Sequence, residues 1–179
     1  MKKTFNQQEI TIRELSKKDL KRAKEFQQYI NSLIKEDAKI LMNKEISLKE
    51  EKVFLQDQLK QTKASKRITL VAEHNNKIIA ITTIKSGRWR KSHIGDFGIS
   101  IKKEYRGIGL GIFMMGEVIK LAKKKMKPNV KILHLGVYPN NKPARALYRL
   151  HGFKAVARIS KQISYKGKLL DEIIMLRNL

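Results

Sequence analysis

The 179-residue sequence predicts one α/β domain, and three observations lead to this prediction. Segments rich in β-branched residues alternate with segments of helical spacing, in the order strand, two helices, three strands, helix, strand, helix and two strands. No internal repeat, low-complexity tract or linker interrupts this order. A chain of this length buries roughly 70% of the surface that it exposes when unfolded, so it can form a core without disulfides or metals.

The first third of the chain predicts a strand followed by two helices. The segment "ITIREL" (10–15) alternates apolar and polar residues, as a half-buried strand does. Ser16 then caps a helical pattern that continues with interruptions to about Asn43. In "SLKEEKVFLQDQLKQ", Ser47 and Glu50 have the spacing of a capping box, which predicts a second helix ahead of the main sheet.

The middle of the chain predicts a hairpin, a further strand and a helix. The runs "RITLVAE" and "KIIAITTIK" are rich in β-branched residues and flank the turn residues Asn75 and Asn76. The basic loop "SGRWRKS" (86–92) leads to the strand "HIGDFGISI". A turn with three glycines then opens a helix that continues to about Lys125, and Pro128 stops it.

The last third predicts a strand, a short helix and a closing hairpin. The segment "VKILHLGVY" is the strand, and "NNKPARALYRLHG" is a helix that ends at Gly152. The segments "FKAVARISKQIS" and "KLLDEIIMLRN" flank the turn "YKG" and form the hairpin.

Composition limits the partners and the chemistry. The chain has 40 Lys and Arg against 16 Asp and Glu, a formal charge of +24, which predicts weak binding of polyanions. It has no cysteine, which excludes disulfides, thiolate nucleophiles and zinc sites of the cysteine type. The histidines lack the spacing of metal ligands, so we expect no metal. No stretch approaches the roughly 18 apolar residues of a membrane span, so we expect a cytoplasmic protein that contacts no membrane.

The glycine turn "YRGIGLG" (105–111) does not match the two commonest phosphate motifs. A dinucleotide motif that begins at Gly107 would need a further glycine at Ile112, and a P-loop that begins at Gly111 would need a lysine at Glu117. A glycine turn that opens a helix still suits a phosphate group, because unpaired N–H groups and the positive helix end face the same point.

Two motifs, in this order, resemble the GNAT N-acetyltransferase superfamily, and in particular its ribosomal-protein alanine and protein N-acetyltransferases. The strand end "ISI" followed by "YRGIGLG" resembles the acetyl-CoA signature, which is Arg or Gln, two residues, Gly, one residue, and Gly or Ala. The segment "NKPARALYRLHGF" resembles the family's Asn-x-x-Ala-x-x-Leu-Tyr segment. The resemblance covers roughly residues 67 to 178. It implies one domain over 1–179, with a mixed, mostly antiparallel sheet of about seven strands, about four helices, and two strands splayed at the acetyl-CoA site.

The resemblance also implies how acetyl-CoA, the co-substrate, is bound. The glycine turn would hold the pyrophosphate, the strand end would pair with the pantetheine arm, and Asn141 would contact that arm. The implied binding residues are Ile99, Ser100, Ile101, Arg106, Gly107, Ile108, Gly109, Leu110, Gly111, Ile112, Asn141 and Tyr148. The implied catalytic residue is Tyr148, which gives a proton to the departing thiolate after a neutral amine attacks the thioester carbon directly.

The general base stays open at this point. Ribosomal-protein alanine N-acetyltransferases of the superfamily carry a glutamate twelve residues before that tyrosine, and this sequence has Gly136 there. His134 lies two residues earlier and therefore on the same strand face. Asp96 and Glu73 are comparable candidates, and a chain of waters is a further route for the proton.

The resemblance implies an N-acetyltransferase that acts on a primary amine. The positive charge of the chain and the scarcity of Asp and Glu around the proposed site favour a protein N-terminus or a lysine as the acceptor. The alternatives are a small amine, such as a polyamine or an antibiotic, and a basic nucleic-acid-binding module that retains the fold without catalysis. A monomer and a homodimer both fit the sequence.

The charge of the chain leads to an expectation about the acceptor. Because Asp and Glu are sparse around the proposed site, we expect polycations to be poor acceptors and the loop 86–92, with Trp89, to contact a neutral or acidic one. A preference for polycations would instead indicate a local acidic pocket, and its candidate residues are Asp96, Glu73, Glu36 and Asp37.

Overall fold

The structure is a computed structural model that describes residues 1–126 and 129–179, so the predicted helix stop at Pro128 lies outside the described residues. The strands are β1 (Lys2–Phe5), β2 (Gln8–Glu14), β3 (Arg67–His74), β4 (Lys77–Ser86), β5 (Ile94–Ile101), β6 (Ile132–Val137), β7 (Lys154–Tyr165) and β8 (Lys168–Asn178). The helices are α1 (Ala23–Lys35), α2 (Leu48–Lys63), α3 (Leu110–Lys125) and α4 (Lys142–Leu150).

All eight strands belong to one sheet in the order β1-β2-β3-β4-β5-β6-β8-β7. Neighbouring strands are antiparallel except β5 and β6. The predicted mixed, mostly antiparallel sheet is confirmed, with one strand more than the sequence suggested. The additional strand, β1, was missed because "KKTF" is mostly polar and buries only Phe5. It pairs with β2 through a turn in which Asn6 and Gln7 both have positive φ.

The two parallel strands pair over a short length and then separate. Ile94, Gly95 and Asp96 of β5 pair with Ile132, Leu133 and His134 of β6. Beyond this point β5 continues to Ile101 and β6 to Val137 without pairing to each other. The separated ends leave a V-shaped opening in the sheet, as the sequence predicted, and we call this the fork.

Helices cover both faces of the sheet. On one face, Met114, Met115 and Val118 of α3 pack in a large apolar cluster that includes the inward side of the strands. On the other face, α1 and α2 form a smaller cluster with β3 and β4, in which Tyr29 and Leu55 are buried. No helix among the described residues is long and apolar enough to cross a membrane.

Two of the predicted local signals are confirmed and one boundary is wrong. The Ser47 hydroxyl accepts a hydrogen bond from the Glu50 N–H at 3.2 Å, as a capping box requires. Asn75 and Asn76 have positive φ in the turn between β3 and β4. The first helix, however, ends at Lys35 rather than near Asn43, because Asp37 has φ 54° and the chain leaves the helix there. The loop 36–47 follows.

Candidate active site

The glycine turn connects β5 to the start of α3. Gly107 has φ 79° and Gly109 has φ 87°, a left-handed conformation that only glycine adopts without strain. Gly109 is the N-cap residue of α3. A Cβ on Gly111 would lie 3.2 Å from Ile101 and 3.4 Å from Leu147, so this glycine lets α3 approach β5 and α4.

The turn has the free donors that an anion needs. Within the described residues, the N–H groups from 107 to 112 donate no hydrogen bond, and the next one, on Phe113, donates to the Gly109 carbonyl at 3.1 Å. A Cβ added to Gly107 would meet no atom within 4 Å, so the space above the turn is open. Open space, unpaired donors and a helix N-terminus fit the pyrophosphate of acetyl-CoA.

The Arg106 side chain lies beneath the turn rather than over it. Its Nε donates to the Ile101 carbonyl at 2.8 Å, and its guanidinium forms an ion pair with Glu36 just past the end of α1. Arg106 therefore connects the end of β5 to α1. Glu36, which the sequence suggested for an acidic pocket, is neutralised by this contact.

Tyr29 holds the free end of β5 and was missed by sequence reasoning. Its hydroxyl donates to the Ser100 carbonyl at 2.8 Å and lies 2.8 Å from the Ser100 Oγ. Burial raises the pKa of the Tyr29 hydroxyl, so it stays protonated. The sequence did contain a signal for this role. The buried stripe of α1 consists of Phe26, Tyr29 and Leu33, and a tyrosine in such a stripe needs a partner for its hydroxyl.

A cleft of about 1220 Å³ lies on the face covered by α1 and α2 and reaches the fork. Charged side chains from distant parts of the chain line it. Its carboxylates are Glu50, Glu51, Asp57, Asp96 and Glu172, and its cations are Lys39, Lys49 and Arg67. The expectation that acidic residues are sparse near the site is therefore wrong, because α2 and β8 bring carboxylates that are remote in sequence. Among the described residues, no group of three or more His, Asp or Glu side chains could hold a metal ion.

Tyr148 of α4 lines this cleft and is 8% exposed. Its ring packs edge-on against Phe97 of β5, with centroids 5.9 Å apart. Burial raises the pKa of the Tyr148 hydroxyl to about 12, and no described residue hydrogen-bonds to it. A protonated, unpartnered hydroxyl beside the fork can donate a proton to a leaving group.

Asp96 and His134, two of the candidate bases, contact each other. The His134 Nδ1 lies 2.9 Å from an Asp96 carboxylate oxygen, and both side chains line the cleft. They are also the last pair between β5 and β6, so they lie at the closed end of the fork.

Glu73, the third candidate base, is wrong because it lies outside the lining of the cleft. Its carboxylate accepts hydrogen bonds from Arg13 and Arg22. Burial alone would favour the neutral acid, but these two arginines hold the pKa of Glu73 below its ordinary value. A carboxylate held by two cations is a poor proton acceptor.

Three other predicted residues or segments have different surroundings. Asn141 lines the cleft and caps α4, since its Oδ1 accepts from the Ala144 N–H at 3.4 Å. Asp37 pairs with Lys166 at 2.7 Å instead of joining an acidic pocket. Residues 86–92 do not line the cleft, and Trp89 is 86% exposed, so the expectation that this loop contacts the acceptor is wrong. The loop precedes β5 at the paired end of the strand, away from the separated ends.

The loop 36–47 covers part of the cleft. Tyr138 donates its hydroxyl hydrogen bond to the Ile40 carbonyl at 3.0 Å, and Lys39 donates to the Asn140 carbonyl at 3.1 Å. At the other end of the loop, the Asn31 side chain accepts from the Ile46 N–H and donates to its carbonyl, both at 3.0 Å. The loop is thus tied to the segment that follows β6 and to α1.

Two buried charges in the cleft were also missed by sequence reasoning. Glu51 is 4% exposed, its carboxyl group has no hydrogen-bond partner among the described residues, and burial raises its pKa to about 7. Arg67 is 7% exposed and donates to Gln61 at 2.9 Å and Gln58 at 3.1 Å. No described carboxylate forms an ion pair with Arg67. Burial lowers the pKa of Arg67, and the nearby charge of Asp57 opposes part of this effect. An arginine that opens the apolar strand "RITLVA" was the available signal.

Comparison with known proteins identifies the fold. The model of the "Acetyltransferase (GNAT) family" matches residues 30–153. A GNAT-family acetyltransferase from Streptococcus pneumoniae is 30% identical with a TM-score of 0.83, over 95% of this chain and 99% of that one. The acetyltransferase yncA from Salmonella typhimurium, solved with acetyl-CoA, is 17% identical with a TM-score of 0.78, over 95% of this chain and 94% of that one, a likeness of fold alone.

A curated relative has a more specific name. The L-amino acid N-acetyltransferase AaaT of Escherichia coli (strain K12) is 29% identical over 90 residues, which cover 50% of this chain and 54% of that protein. The chain therefore spans about half the length of the curated relative that it matches.

The family match contains the glycine turn, Asn141 and Tyr148. Acetyl-CoA is the co-substrate of this family, as the resemblance implied, and the open turn at the start of α3 has donors that fit its pyrophosphate. The chain belongs to the GNAT family of acetyltransferases.

Proposed function

We propose that this protein transfers the acetyl group of acetyl-CoA to the primary amine of a small acceptor that also carries a carboxylate, as a free amino acid does. The observation that carries the proposal is Arg67, a buried cation that lines the cleft without a carboxylate partner among the described residues. A buried charge without a directly bound counterion is costly: the charge of Asp57 acts on Arg67 without forming an ion pair, and the carboxylate of a ligand would bind the guanidinium directly.

The position of Arg67 suits an acceptor of this size. Arg67 pairs with Lys85 of β4, and Lys85 pairs with Asp96 of β5, so Arg67 lies two strands from the closed end of the fork. Strands are spaced by about 4.8 Å, which gives about 10 Å between the two backbones. An arginine side chain spans much of that distance. A carboxylate bound to Arg67 would therefore leave an amine a few bonds away beside the fork.

The other lining residues fit the rest of such a molecule. Carboxylates near the fork, including Asp96 and Glu172, attract the ammonium form of the amine. Ile40, Met42 and Phe54 also line the cleft and suit an apolar side chain. The name of the Escherichia coli relative, an L-amino acid N-acetyltransferase, points in the same direction.

Different residues of the chain bind the two substrates, orient the amine and donate a proton. Acetyl-CoA supplies the acetyl group as a thioester. The glycine turn binds its pyrophosphate, and Arg67 and the apolar lining orient the amine towards the fork. The neutral amine attacks the thioester carbon, and Tyr148 donates its proton to the sulfur as the carbon–sulfur bond breaks.

The sequence favoured a protein N-terminus or a lysine as the acceptor. Two features favour a small acceptor instead, namely the loop 36–47, which covers part of the cleft, and the buried position of Arg67 beneath α2. A protein segment would have to displace that loop before its amine reached the fork.

The acceptor can be identified by measuring release of the CoA thiol with matched amines. We would compare L-leucine with isoamylamine, which has the same carbon chain without the carboxylate, with the peptide Leu-Gly-Gly, and with spermidine. We expect kcat/KM for L-leucine to exceed that for isoamylamine by at least about tenfold, since a hydrogen bond to a charged group contributes about 1.5–3 kcal/mol. A higher kcat/KM for isoamylamine, the peptide or spermidine would contradict the proposal.

A further inference from the structure

Glu172 of β8 occupies the space that a side chain at position 136 would fill. A Cβ built on Gly136 would lie 1.9 Å from a Glu172 carboxylate oxygen and 2.7 Å from its carboxyl carbon. Gly136 is not among the residues with positive φ, so its backbone does not require glycine. The glycine is needed because it makes room for the Glu172 carboxyl group.

This placement brings the Glu172 carboxylate to the fork. Gly136 comes two residues after His134, the last residue of β6 that pairs with β5. Gly136 pairs with Ile174 in the antiparallel neighbour β8, and Glu172, two residues from Ile174, lies on the same face. Both Gly136 and Glu172 line the cleft. The carboxylate therefore lies where β5 and β6 have separated, on the side from which the acceptor approaches.

The surroundings of the Glu172 carboxylate differ from those of the other candidate bases. The Glu172 carboxylate forms no hydrogen bond and no ion pair with any described residue, whereas the Asp96 carboxylate contacts His134 and the Glu73 carboxylate is held by two arginines. The acetyl-CoA pyrophosphate belongs past the C-terminal end of β5, at the glycine turn. Acetyl-CoA bound there would have to extend into the fork to bring its thioester to Tyr148, and Glu172 and Gly136 line the same cleft as Tyr148.

We propose that Glu172 is the general base that removes the proton from the incoming ammonium group, directly or through one water. The carboxylate takes one proton, and the neutral amine attacks the thioester carbon. As the carbon–sulfur bond breaks, Tyr148 protonates the sulfur, and the second proton leaves the nitrogen for the tyrosine oxygen. Glu172 then releases its proton to solvent, so the products are the acetamide, the CoA thiol and one proton.

This inference rests on the acetyl transfer proposed above, but not on the identity of the acceptor, because any amine that enters as an ammonium ion must lose a proton. The proposed base reaches the fork from β8, the strand that neighbours β6. Position 136 supplies only space, and β8 supplies the carboxylate.

The test compares an acceptor that needs a base with one that does not. Acetyl transfer is measured at neutral pH with L-leucine, whose amine is protonated, and with hydroxylamine, which is already neutral. We expect Glu172→Gln to lower kcat with L-leucine by about 100-fold, the scale of general-base catalysis, and to change kcat with hydroxylamine by less than about threefold. The matched control is Asp171→Asn, a carboxylate on the opposite face of β8 that pairs with Arg158, and it should leave both rates unchanged.

A second variant moves the carboxylate without altering it. Gly136→Ala places a Cβ where the Glu172 oxygen lies and should lower kcat with L-leucine at least about tenfold. In a Glu172→Gln background, Gly136→Ala should lower kcat little further, because both substitutions disable the same carboxylate. Melting curves check that each variant is folded.

Several outcomes would overturn the inference. An equal loss with both acceptors would show that Glu172 is structural, and so would additive effects of the two substitutions. An unchanged kcat in folded Glu172→Gln would exclude the residue outright. If the wild-type protein does not acetylate L-leucine, the acceptor proposal fails alone, and the comparison is made with the protonated amine of the panel that it acetylates fastest.

Discussion

The His134 imidazole lies 2.9 Å from the Asp96 carboxylate, and the two residues form the last pair between β5 and β6. The contact joins the strands at the point where they begin to separate. It is also a histidine–carboxylate pair, an arrangement that serves as a base in many enzymes. The two roles lead to different results when the carboxylate is replaced.

We expect Asp96→Asn to lower kcat less than about fivefold, because the Asn side chain retains a contact with His134 while Glu172 remains the base. Single-turnover acetyl transfer measures this, with Glu172→Gln as the comparison. A loss of about 100-fold or more in Asp96→Asn would assign the base to His134 instead.

Replacing Arg67 tests the acceptor site. Arg67→Gln should raise KM for L-leucine by about 10- to 100-fold, since a charge-assisted hydrogen bond contributes about 1.5–3 kcal/mol. KM for isoamylamine, which has no carboxylate, should change little, and this amine is the internal control. Equal changes in both KM values would mean that Arg67 only supports α2 through Gln58 and Gln61.

Replacing Gly109 tests the pyrophosphate site. Gly109→Val forces a β-branched residue into φ 87° at the start of α3 and should abolish measurable acetyl-CoA binding in calorimetry. Gly167→Val is the matched control, because Gly167 has φ 73° in the turn between β7 and β8, away from the cleft. Gly167→Val should lower the stability by about as much as Gly109→Val does and leave the affinity for acetyl-CoA unchanged. Unchanged affinity in folded Gly109→Val would refute the assignment.

Replacing Tyr148 tests the general acid. Tyr148→Phe retains the packing against Phe97 and removes the proton donor, so kcat should fall by about 100-fold while acetyl-CoA affinity stays within about twofold. Rapid-quench measurement of a single turnover separates this chemistry from product release. If the single-turnover rate is unchanged, the hydroxyl has no role in proton transfer.

The buried carboxyl of Glu51 makes stability depend on pH. Burial raises its pKa from 4.5 to about 7, so between these values the folded state holds a proton that the unfolded state has lost, and stability falls as pH rises. Over this pH range the free energy of unfolding falls in total by on the order of 3 kcal/mol. The Tm of Glu51→Gln should therefore equal that of the wild-type protein near pH 4 and exceed it near pH 8. A constant difference across this range would contradict the assignment.

Local patterns in the sequence were sufficient to predict most of the fold. The β-branched runs, the Asn75–Asn76 turn and the capping box at Ser47 each depend on a few neighbouring residues, and all three are confirmed. The end of α1 was wrong because the residues after Lys35 still have helical spacing, and the positive φ of Asp37 that ends the helix has no strong local signal.

The acceptor side of the site depends on long-range pairing and could not be predicted in this way. Glu172 reaches Gly136 only because β8 pairs with β6 in one register, and a shift of one residue would turn its side chain to the other face. Arg67 and Glu51 come together at the cleft only when α2 packs on β3. The glycine turn, by contrast, is contiguous in sequence, and its position at the start of α3 was predicted. Its role as the acetyl-CoA site stays a prediction.

Helix α1 connects the two substrate sites. Tyr29 holds Ser100 of β5, and Glu36, just past the end of the helix, holds Arg106 of the glycine turn. The loop 36–47, which covers part of the cleft, starts at that same residue. We therefore expect the two substrates to bind cooperatively. Because thermodynamic linkage is reciprocal, a bound acceptor must tighten acetyl-CoA binding by the same factor.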